Sequence, residues 1–325
     1  KEDIIHAGTK TVTLKGIGQY YGALNFEYHI KKKNPIKNGK WCIRVKFKKF
    51  KYNEDTKEYE TIYNGRPATS DVELYDDDID PNTPISSDNY ELYKRKGYAK
   101  NGGYINNETV SNDETKAGIA IMMKGDYDTG GDTLKKDFNI LGKPMKFDVI
   151  LLDADNVKKD SNADRYPYDY EHRRLIVPRL AFRDGSNELK LVRGKDYTVT
   201  INNNKTIGTA TMIIKGMGNY SGTVKKTFDI YADLEHAKVN LNQKEYYYLG
   251  LNQPPHPSKE EKIKSIEVGG ITLDKNDYTV TETSDNDFQT SGKLVIMVNP
   301  ESKRSNYLSK TASKEYKIST ELGKY

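Results

Sequence analysis

Carboxylate side chains are the first group in this sequence with the chemistry of a binding site. Asp76, Asp78 and Asp80 stand in one acidic segment, with Asp77 between the first two. Ca²⁺ prefers several oxygen ligands of this kind, and a loop that holds it can stiffen the junction between two domains. The segment therefore predicts a calcium site at Asp76, Asp78 and Asp80. The alternative is a solvated acidic loop without a metal.

Tyrosine is the second group, with 25 residues against 8 phenylalanines and 1 tryptophan. A row of exposed rings can stack on the faces of sugars or form a protein-binding patch. Side chains two residues apart on a strand share one face, so a run of alternate tyrosines forms such a row. The candidate ligand-binding residues are Tyr98, Tyr104, Tyr166, Tyr168, Tyr170, Tyr246 and Tyr248. The alternative is that these rings fill a core that is short of leucine and isoleucine.

Catalytic and zinc-binding motifs are missing from the sequence. The five histidines form no HxH or HExxH pair, and no GxSxG nucleophile motif occurs. Cys42 is the only cysteine, which excludes an internal disulfide and a CxxC metal site. We therefore predict no catalytic residue and no enzyme activity. Apart from possible calcium, we expect no cofactor.

The charge pattern limits the partners. Lys and Arg number 52 against 47 Asp and Glu, and both signs are spread along the chain. Nucleic-acid binding needs basic residues clustered on one face, so we expect none. No stretch approaches the roughly 18 apolar residues of a membrane span, so we expect no insertion into a membrane. The first residues already belong to a repeated motif, which predicts a monomeric segment of a longer exported chain.

A repeated segment is the main feature of the sequence. Residues 208–230 read GTATMIIKGMGNYSGTVKKTFDI, and residues 8–30 read GTKTVTLKGIGQYYGALNFEYHI. Residues 118–140 and 292–318 carry more divergent copies that also close on isoleucine. The distance along the sequence from one copy to the next is the length of a domain. This indicates tandem modules and excludes the shorter periods of ankyrin or propeller repeats.

The repeated segment predicts a β-hairpin. Ala210, Met212 and Ile214 alternate along the first strand and share one face, as do Val12 and Leu14 in the first copy. The glycines between the strands supply turn conformations that branched residues cannot adopt. The first copy lacks the strands that should precede it, so its front half is either absent or replaced by packing on the neighbouring module.

A second motif precedes the hairpin. Residues 194–199 read GKDYTV and residues 275–280 read KNDYTV, which predicts a turn that enters a strand. A fainter copy lies at residues 89–92 and is followed by an insertion, residues 94–113, where we expect any ligand site that is specific to this repeat. The alternative is a disordered insertion without a ligand. Helix signals are scarce, and the best one is residues 257–263, with Ser258 as the N-cap.

The order G-x-D-Y-x-V, N-N, G-T-A, G-x-G-N-Y-x-G-T and F-x-I resembles the bacterial Ig-like tandem repeats of Gram-positive cell-surface proteins. Residues 194–230 carry the pattern best. The resemblance implies an all-β chain of tandem Ig-like β-sandwich domains in a linear array, in an extracellular, cell-surface or wall-attached setting. The implied domains are a C-terminal half repeat at 1–31, a repeat with an insertion at 32–141, the best match at 142–231, a divergent repeat at 232–319 and a tail at 320–325.

This organisation predicts a non-catalytic stalk or adhesin segment. One alternative is a module that binds a polysaccharide or a host extracellular protein, and it predicts an aromatic patch on one repeat alone. The other alternative is an accessory region of a secreted glycan-degrading enzyme whose catalytic domain lies elsewhere.

Overall fold

The computed structural model describes residues 5–98, 102–250 and 253–320. Strands hold 51% of the chain and helices 6%, so the predicted all-β class is confirmed. The chain divides into two compact units. The first comprises Lys1–Pro144 and Met217–Ser221, and the second comprises Met145–Gly216 and Gly222–Tyr325. The finer division into four domains stays a prediction, and residues 321–325 of the predicted tail lie outside the described residues.

The first unit is built from short antiparallel strands and a few parallel pairs. Its strands are β1 (Gly8–Lys15), β2 (Ala23–Ile30), β3 (Ile36–Lys37), β4 (Lys40–Trp41), β5 (Ile43–Phe47), β6 (Lys51–Asn53), β7 (Glu58–Ile62), β8 (Val72–Asp76), β9 (Asp80–Pro84), β10 (Tyr90–Leu92), β11 (Tyr104–Ile105), β12 (Ala117–Met123), β13 (Thr133–Leu141) and β14 (Lys143–Pro144). Short 3₁₀ turns span Ser87–Asn89 and Lys96–Tyr98.

Two sheets enclose the core of the first unit. One has the order β5-β8-β9, and the other has the order β10-β12-β13-β7-β6 with β11 beside β12. In β5, buried Ile43, Val45 and Phe47 alternate with exposed basic residues, as expected of a strand with one face in the core. These side chains share one apolar cluster with Ile119 and Phe138 of the opposite sheet. The two sheets therefore form a sandwich.

The predicted insertion at residues 94–113 contains regular structure in the part that is described. β11 pairs with β12 through Tyr104↔Ile119 and Ile105↔Gly118. Tyr104 and Asn107 are buried, and Asn107 donates to the carbonyl of Ala68 at 3.0 Å. This part of the insertion therefore belongs to the sandwich core.

The second unit continues with the remaining strands. They are β15 (Asp148–Ala154), β16 (Arg165–Pro167), β17 (Pro178–Asp184), β18 (Asn187–Leu189), β19 (Tyr197–Asn202), β20 (Gly208–Gly216), β21 (Tyr220–Ser221, grouped with the first unit), β22 (Thr223–Asp233), β23 (Lys238–Leu241), β24 (Glu245–Tyr247), β25 (Ile263–Val268), β26 (Ile271–Thr272), β27 (Tyr278–Thr283), β28 (Ser291–Val298), β29 (Leu308–Ser309) and β30 (Thr311–Ser319). The helix α1 spans Lys259–Lys262, and 3₁₀ turns span Leu234–His236, Lys275–Asp277 and Ser305–Tyr307.

Four sheets make up the second unit. Their orders are β15-β17-β18, then β16-β22-β20-β19 with β29 beside β22, then β23-β25-β26, and finally β24-β30-β28-β27. The first two face each other, since the ring of Phe182 on β17 lies 4.8 Å from that of Tyr197 on β19. Ala210, Met212 and Ile214 are fully buried on the inner face of β20, as their alternation predicts.

The shorter sequence motifs also fold as predicted. β19 begins at Tyr197, β27 at Tyr278 and β10 at Tyr90, each at the tyrosine of the motif that enters a strand. The predicted helix is confirmed as α1, with Ser258 as its N-cap. The Glu261 carboxylate accepts from the backbone N–H of Ser258 at 3.2 Å, which completes a capping box.

Candidate functional site

Several kinds of contact meet in the segment of the second unit where β22 passes into β23. β22 runs to Asp233, two residues beyond the predicted domain boundary, and leads directly into the 3₁₀ turn Leu234–His236. Ala232 and Leu234 are buried there. β29 pairs with the end of β22 through Ala232↔Leu308 and Asp233↔Ser309. No free linker separates the two strands, so we call this region the junction.

An aromatic stack covers one side of the junction. The ring of Tyr170 lies 4.2 Å from the imidazole of His236, with the planes 22° apart. The Asp233 backbone N–H donates to the Tyr170 hydroxyl at 2.7 Å. Burial raises the pKa of Tyr170 to about 12. The hydroxyl therefore keeps its proton near neutral pH and donates to the Asp233 carbonyl at 3.3 Å.

Gly269 lies on the other side of the junction. The Ile207 backbone N–H donates to the Gly269 carbonyl at 3.0 Å. Gly269 has φ +58°, and a Cβ there would lie 2.2 Å from Cγ2 of Ile207 and 3.1 Å from Cβ of Ala232. Only glycine combines this backbone conformation with so close an approach of the neighbouring strands.

An ion cluster closes the junction at the side of β29. Nζ of Lys310 lies 2.9 Å from the Asp233 carboxylate and also bonds Glu235. Ser309 donates to Asp233 as well. Burial favours the neutral acid, but the bonds from Ser309 and Lys310 outweigh it and hold the pKa of Asp233 below its ordinary value.

Asp233, Glu235 and His236 also carry one metal-ligand atom each within 4.8 Å of one another. The ammonium of Lys310 bonds both carboxylates, so it takes up the charge that a cation would otherwise neutralise. The donor set fits a salt-bridged cluster better than a metal centre.

An open cleft of about 420 Å³ lies beside the aromatic stack. Tyr170, Arg173, His236 and Lys238 line it, and Glu267 is the acidic residue on its wall. A ring beside the two cations Arg173 and Lys238 is a surface on which an acidic sugar can bind. A larger groove of about 940 Å³ runs between β23 and β30, but its four lysines alternate with three glutamates and specify no ligand charge.

The expected exposed ring is wrong for Tyr166 and Tyr168, whereas Tyr170 is half-buried and lines the cleft, so its role in ligand binding stays a prediction. Tyr166 is fully buried, its ring packs 5.2 Å from that of Phe228, and its hydroxyl donates to the Leu152 carbonyl at 2.6 Å. β16 ends at Pro167, so the alternation of a strand does not continue to Tyr168 and Tyr170. Tyr168 is buried and Tyr170 half-buried, both beside the junction. The alternative of core filling describes Tyr166.

The other candidate tyrosines divide between core and partly covered positions. Tyr104 is buried, and its hydroxyl accepts from the Ser70 backbone N–H at 3.0 Å, so its ring cannot stack on a ligand. Tyr98 is half-buried and its ring lies 6.4 Å from that of Tyr93, whereas residues 99–101 beside it lie outside the described residues. Tyr246 is buried and Tyr248 half-buried. The prediction of an exposed, ligand-binding ring is therefore wrong for Tyr104 and Tyr246.

The predicted calcium site at Asp76, Asp78 and Asp80 stays a prediction, and its carboxylates have protein partners in this structure. Both carboxylate oxygens of Asp76 lie 2.6 Å from Nζ of Lys33, and the Asp78 carboxylate lies 2.7 Å from Nζ of Lys37. Asp80 accepts instead from the backbone N–H of Asn82 at 2.9 Å. Two of the three carboxylates are therefore paired with lysines, and Lys33 also lies 3.7 Å from Asp78.

Sequence reasoning missed a buried ionic cluster around Lys262. This lysine is completely buried, and its Nζ lies 2.8 Å from Glu282 and 5.4 Å from the ring centres of Tyr246 and Tyr316. Tyr316 donates to the same carboxylate at 2.6 Å. Burial, together with this hydrogen bond, raises the pKa of Tyr316. Lys262 stands in a charged segment typical of a solvated surface, so no local signal marks it as interior.

Comparisons with known proteins give no family. No protein-family model matches the chain, and no curated protein matches it significantly. The protocadherin GammaB4 extracellular domain matches at 12% identity and a TM-score of 0.19 over 96% of this chain, which spans 54% of that protein chain. The protocadherin gammaB7 EC3-6 cis-dimer matches at 12% identity and a TM-score of 0.18, over 80% of this chain and 70% of that one. Domains 4–9 of the surface layer protein SbsC match at 12% identity and a TM-score of 0.17, over 96% and 54%. TM-scores this low identify neither a fold family nor a function.

Proposed function

We propose that the chain is a non-catalytic structural segment of a secreted or wall-attached bacterial surface protein, and that it holds successive β-sandwiches at a fixed spacing. The observation that carries this proposal is the junction, where β22 passes into β23 without a free linker. The bacterial and extracellular setting rests on the resemblance of the repeat pattern. Among the described residues, no helix is long and apolar enough to cross a membrane.

The junction resists bending because its contacts come from several directions. The strand pair Ala232↔Leu308, the stack of Tyr170 on His236, and the hydrogen bond from Ile207 to Gly269 join different elements. Bending at the junction would strain or break these contacts. A stalk needs this property, whereas a flexible connection would let neighbouring domains collapse onto each other.

Two matched glycine substitutions test the proposal. Gly269→Ala adds a methyl group that meets Ile207, whereas Gly185→Ala adds it at φ +60° with open space around it. Both variants carry the backbone strain of a left-handed alanine, and only the first disturbs the junction. Spin labels at exposed Arg183→Cys and Lys314→Cys, with Cys42→Ser, report the distance across the second unit.

The parent chain should give one narrow distance distribution by pulsed electron spin resonance. Gly269→Ala should broaden or shift that distribution, and Gly185→Ala should leave it unchanged. A broad distribution in the parent chain would show that the junction bends freely, and the structural proposal would then be abandoned.

A second candidate function is the binding of an acidic polysaccharide in the cleft beside the stack. It is favoured by Tyr170, His236, Arg173 and Lys238 around one opening, and by the φ of +54° at Arg173, an unusual conformation for a bulky side chain. Calorimetry with heparin oligosaccharides at physiological salt tests it. Binding that is lost in Arg173→Ala and kept in Lys190→Ala, an exposed lysine outside the cleft, would favour this candidate.

A further inference from the structure

The sheet β24-β30-β28-β27 contains a strand with one incomplete edge. On one side, β30 pairs with β28 from Thr311 to Lys317 without a break in register. On the other side, β24 pairs with β30 only at Lys317, Ile318 and Ser319. Within the described residues, the stretch of β30 from Thr311 to Tyr316 therefore has no neighbouring strand on the side of β24.

The hydrogen bonds of β30 show which backbone groups point towards the incomplete edge. The Lys317 N–H donates to the Lys244 carbonyl, on the side of β24, at 3.0 Å. The direction of backbone groups alternates along an antiparallel strand, so those of Ser313 and Glu315 point to the same side as those of Lys317. These two residues offer two donors and two acceptors beyond the start of β24, and the described part of the chain provides no backbone partner for them.

The incomplete edge borders the groove of about 940 Å³ that runs between β23 and β30. The strand on the other side, β23, is itself the edge strand of the sheet β23-β25-β26. Two buried apolar side chains, Val239 and Tyr316, contribute to the lining of the groove. A groove that combines an apolar lining with a free strand edge can accept an extended peptide as an additional strand.

The buried ionic cluster around Lys262 fixes the strand that carries the incomplete edge. The Tyr316 hydroxyl donates to the Glu282 carboxylate at 2.6 Å, and the same carboxylate lies 2.8 Å from Nζ of Lys262. These bonds hold the ring of Tyr316 in place beneath the groove. An edge that is already ordered loses little conformational freedom when a partner binds, which favours binding of a short segment.

The charges around the groove indicate what kind of strand can bind there. Both signs are present, as Lys244, Lys264, Lys314, Lys317, Glu245, Glu267 and Glu315. This near balance selects no net charge, so recognition depends on the main-chain groups of Ser313 and Glu315. Lysines on an edge strand disfavour pairing of two identical edges, because they bring equal charges together. A strand of a different protein therefore fits the groove better than a second copy of this chain.

We propose that the groove between β23 and β30 binds an extended segment of another protein, which adds to β30 as a further strand. About five residues of that segment lie beside residues 311–315, over a length of about 17 Å. Its backbone bonds Ser313 and Glu315, and alternate apolar side chains contact Val239 and Tyr316. The inference does not depend on the stiffness of the junction.

Nuclear magnetic resonance of the isotope-labelled 325-residue chain tests the proposal with a capped heptapeptide of alternating threonine and valine. The peptide should shift the amide signals of Ser313 and Glu315 and slow their hydrogen exchange by at least about tenfold at saturation. A peptide of the same sequence with every amide nitrogen methylated should have no effect, because it cannot donate to the edge. Unchanged signals with the first peptide at millimolar concentration, or equal effects of both peptides, would overturn the proposal.

Two variants at position 313 separate main-chain recognition from side-chain recognition. Ser313→Pro removes the N–H that points away from β28, and a sheet edge tolerates proline. Ser313→Ala keeps this N–H and removes only the hydroxyl. Peptide binding should weaken by at least about tenfold in Ser313→Pro and stay within about twofold in Ser313→Ala.

The same loss in both variants would show that the side chain, not the backbone, binds the peptide. Full binding in both variants would show that the edge is not used. Protection of residues 311–317 that grows with protein concentration in the absence of peptide would identify a second copy as the occupant. Each of these results would overturn the proposal.

Discussion

The hairpins at residues 8–30 and 208–230 share a register but differ in burial. Both close their loops with the same backbone bond, and both begin at a glycine with φ near +128°. Leu14 is nevertheless 56% exposed, whereas its counterpart Ile214 is 0% exposed. The comparison separates two levels of organisation. Register follows from the turn and the alternation of the hairpin, whereas burial depends on a second sheet that is distant in sequence.

The largest expected difference between the two hairpins comes from removing the aromatic ring at one equivalent position, Phe228 in one hairpin and Tyr28 in the other. Phe228 is 2% exposed, and its counterpart Tyr28 is 38% exposed. Phe228→Ala should lower the free energy of unfolding of the second unit by about 3–5 kcal/mol, because it leaves a cavity in a closed core. Tyr28→Ala should lower that of the first unit by less than about 0.5 kcal/mol. Urea denaturation followed by circular dichroism measures both.

Equal losses from Phe228→Ala and Tyr28→Ala would break this comparison. They would mean that the ring of Tyr28 is packed as tightly as that of Phe228, and that the apolar face of the first hairpin is covered within the chain.

The sequence predicts much of the fold because most of the relevant signals are local. The alternation of Ala210, Met212 and Ile214, the strand start at Tyr197 and the cap at Ser258 each depend on a few neighbouring residues. The orientation of the tyrosine rings does not depend on neighbouring residues in this way. Whether the ring of Tyr166 faces a core or a ligand is decided by Phe228, 62 positions away in the sequence.

The pairing of charged side chains also depends on residues that are distant in the sequence. Three aspartates in one segment predict a calcium site, and Lys33, which stands 43 residues from Asp76, pairs with that carboxylate. Lys262 stands in a charged segment, and the contact with Glu282 from another element makes its burial tolerable. The junction had no sequence signal at all, since its parts come from residues near positions 170, 207, 233, 269 and 308.

A smaller difference is expected at the glycines that begin the two hairpins. Gly8 has φ +129° and Gly208 has φ +127°, and a Cβ at either position would meet open space. Alanine at these angles carries about 1–3 kcal/mol of backbone strain. Gly208→Ala should therefore lower the free energy of unfolding of the second unit by that amount. Gly8→Ala should leave the unfolding midpoint of the first unit unchanged and only speed exchange in residues 8–30.

A lower unfolding midpoint of the first unit in the Gly8→Ala variant would change the comparison. It would show that the first hairpin unfolds together with the sandwich of its own unit, despite its exposed face.

The smallest expected effect concerns the attachment of the first hairpin. The Asp126 carboxylate accepts from Nδ1 of His6 and from the Ala7 backbone N–H, each at 2.7 Å. Burial favours the neutral acid, but these hydrogen bonds outweigh it and hold the pKa of Asp126 below its ordinary value of 3.8. The stabilisation is therefore present above pH 3.8 and is lost as the pH falls through the lowered pKa. We expect less than about 1 kcal/mol.

Nuclear magnetic resonance of the Ala7 amide follows this attachment as acid is added. Its chemical shift should move with a midpoint below 3.8. Asp126→Asn should abolish the movement, because the amide side chain does not titrate. A midpoint above 3.8 would mean that burial outweighs the hydrogen bonds. The contribution of Asp126 to the free energy of unfolding would then increase, not decrease, as the pH falls.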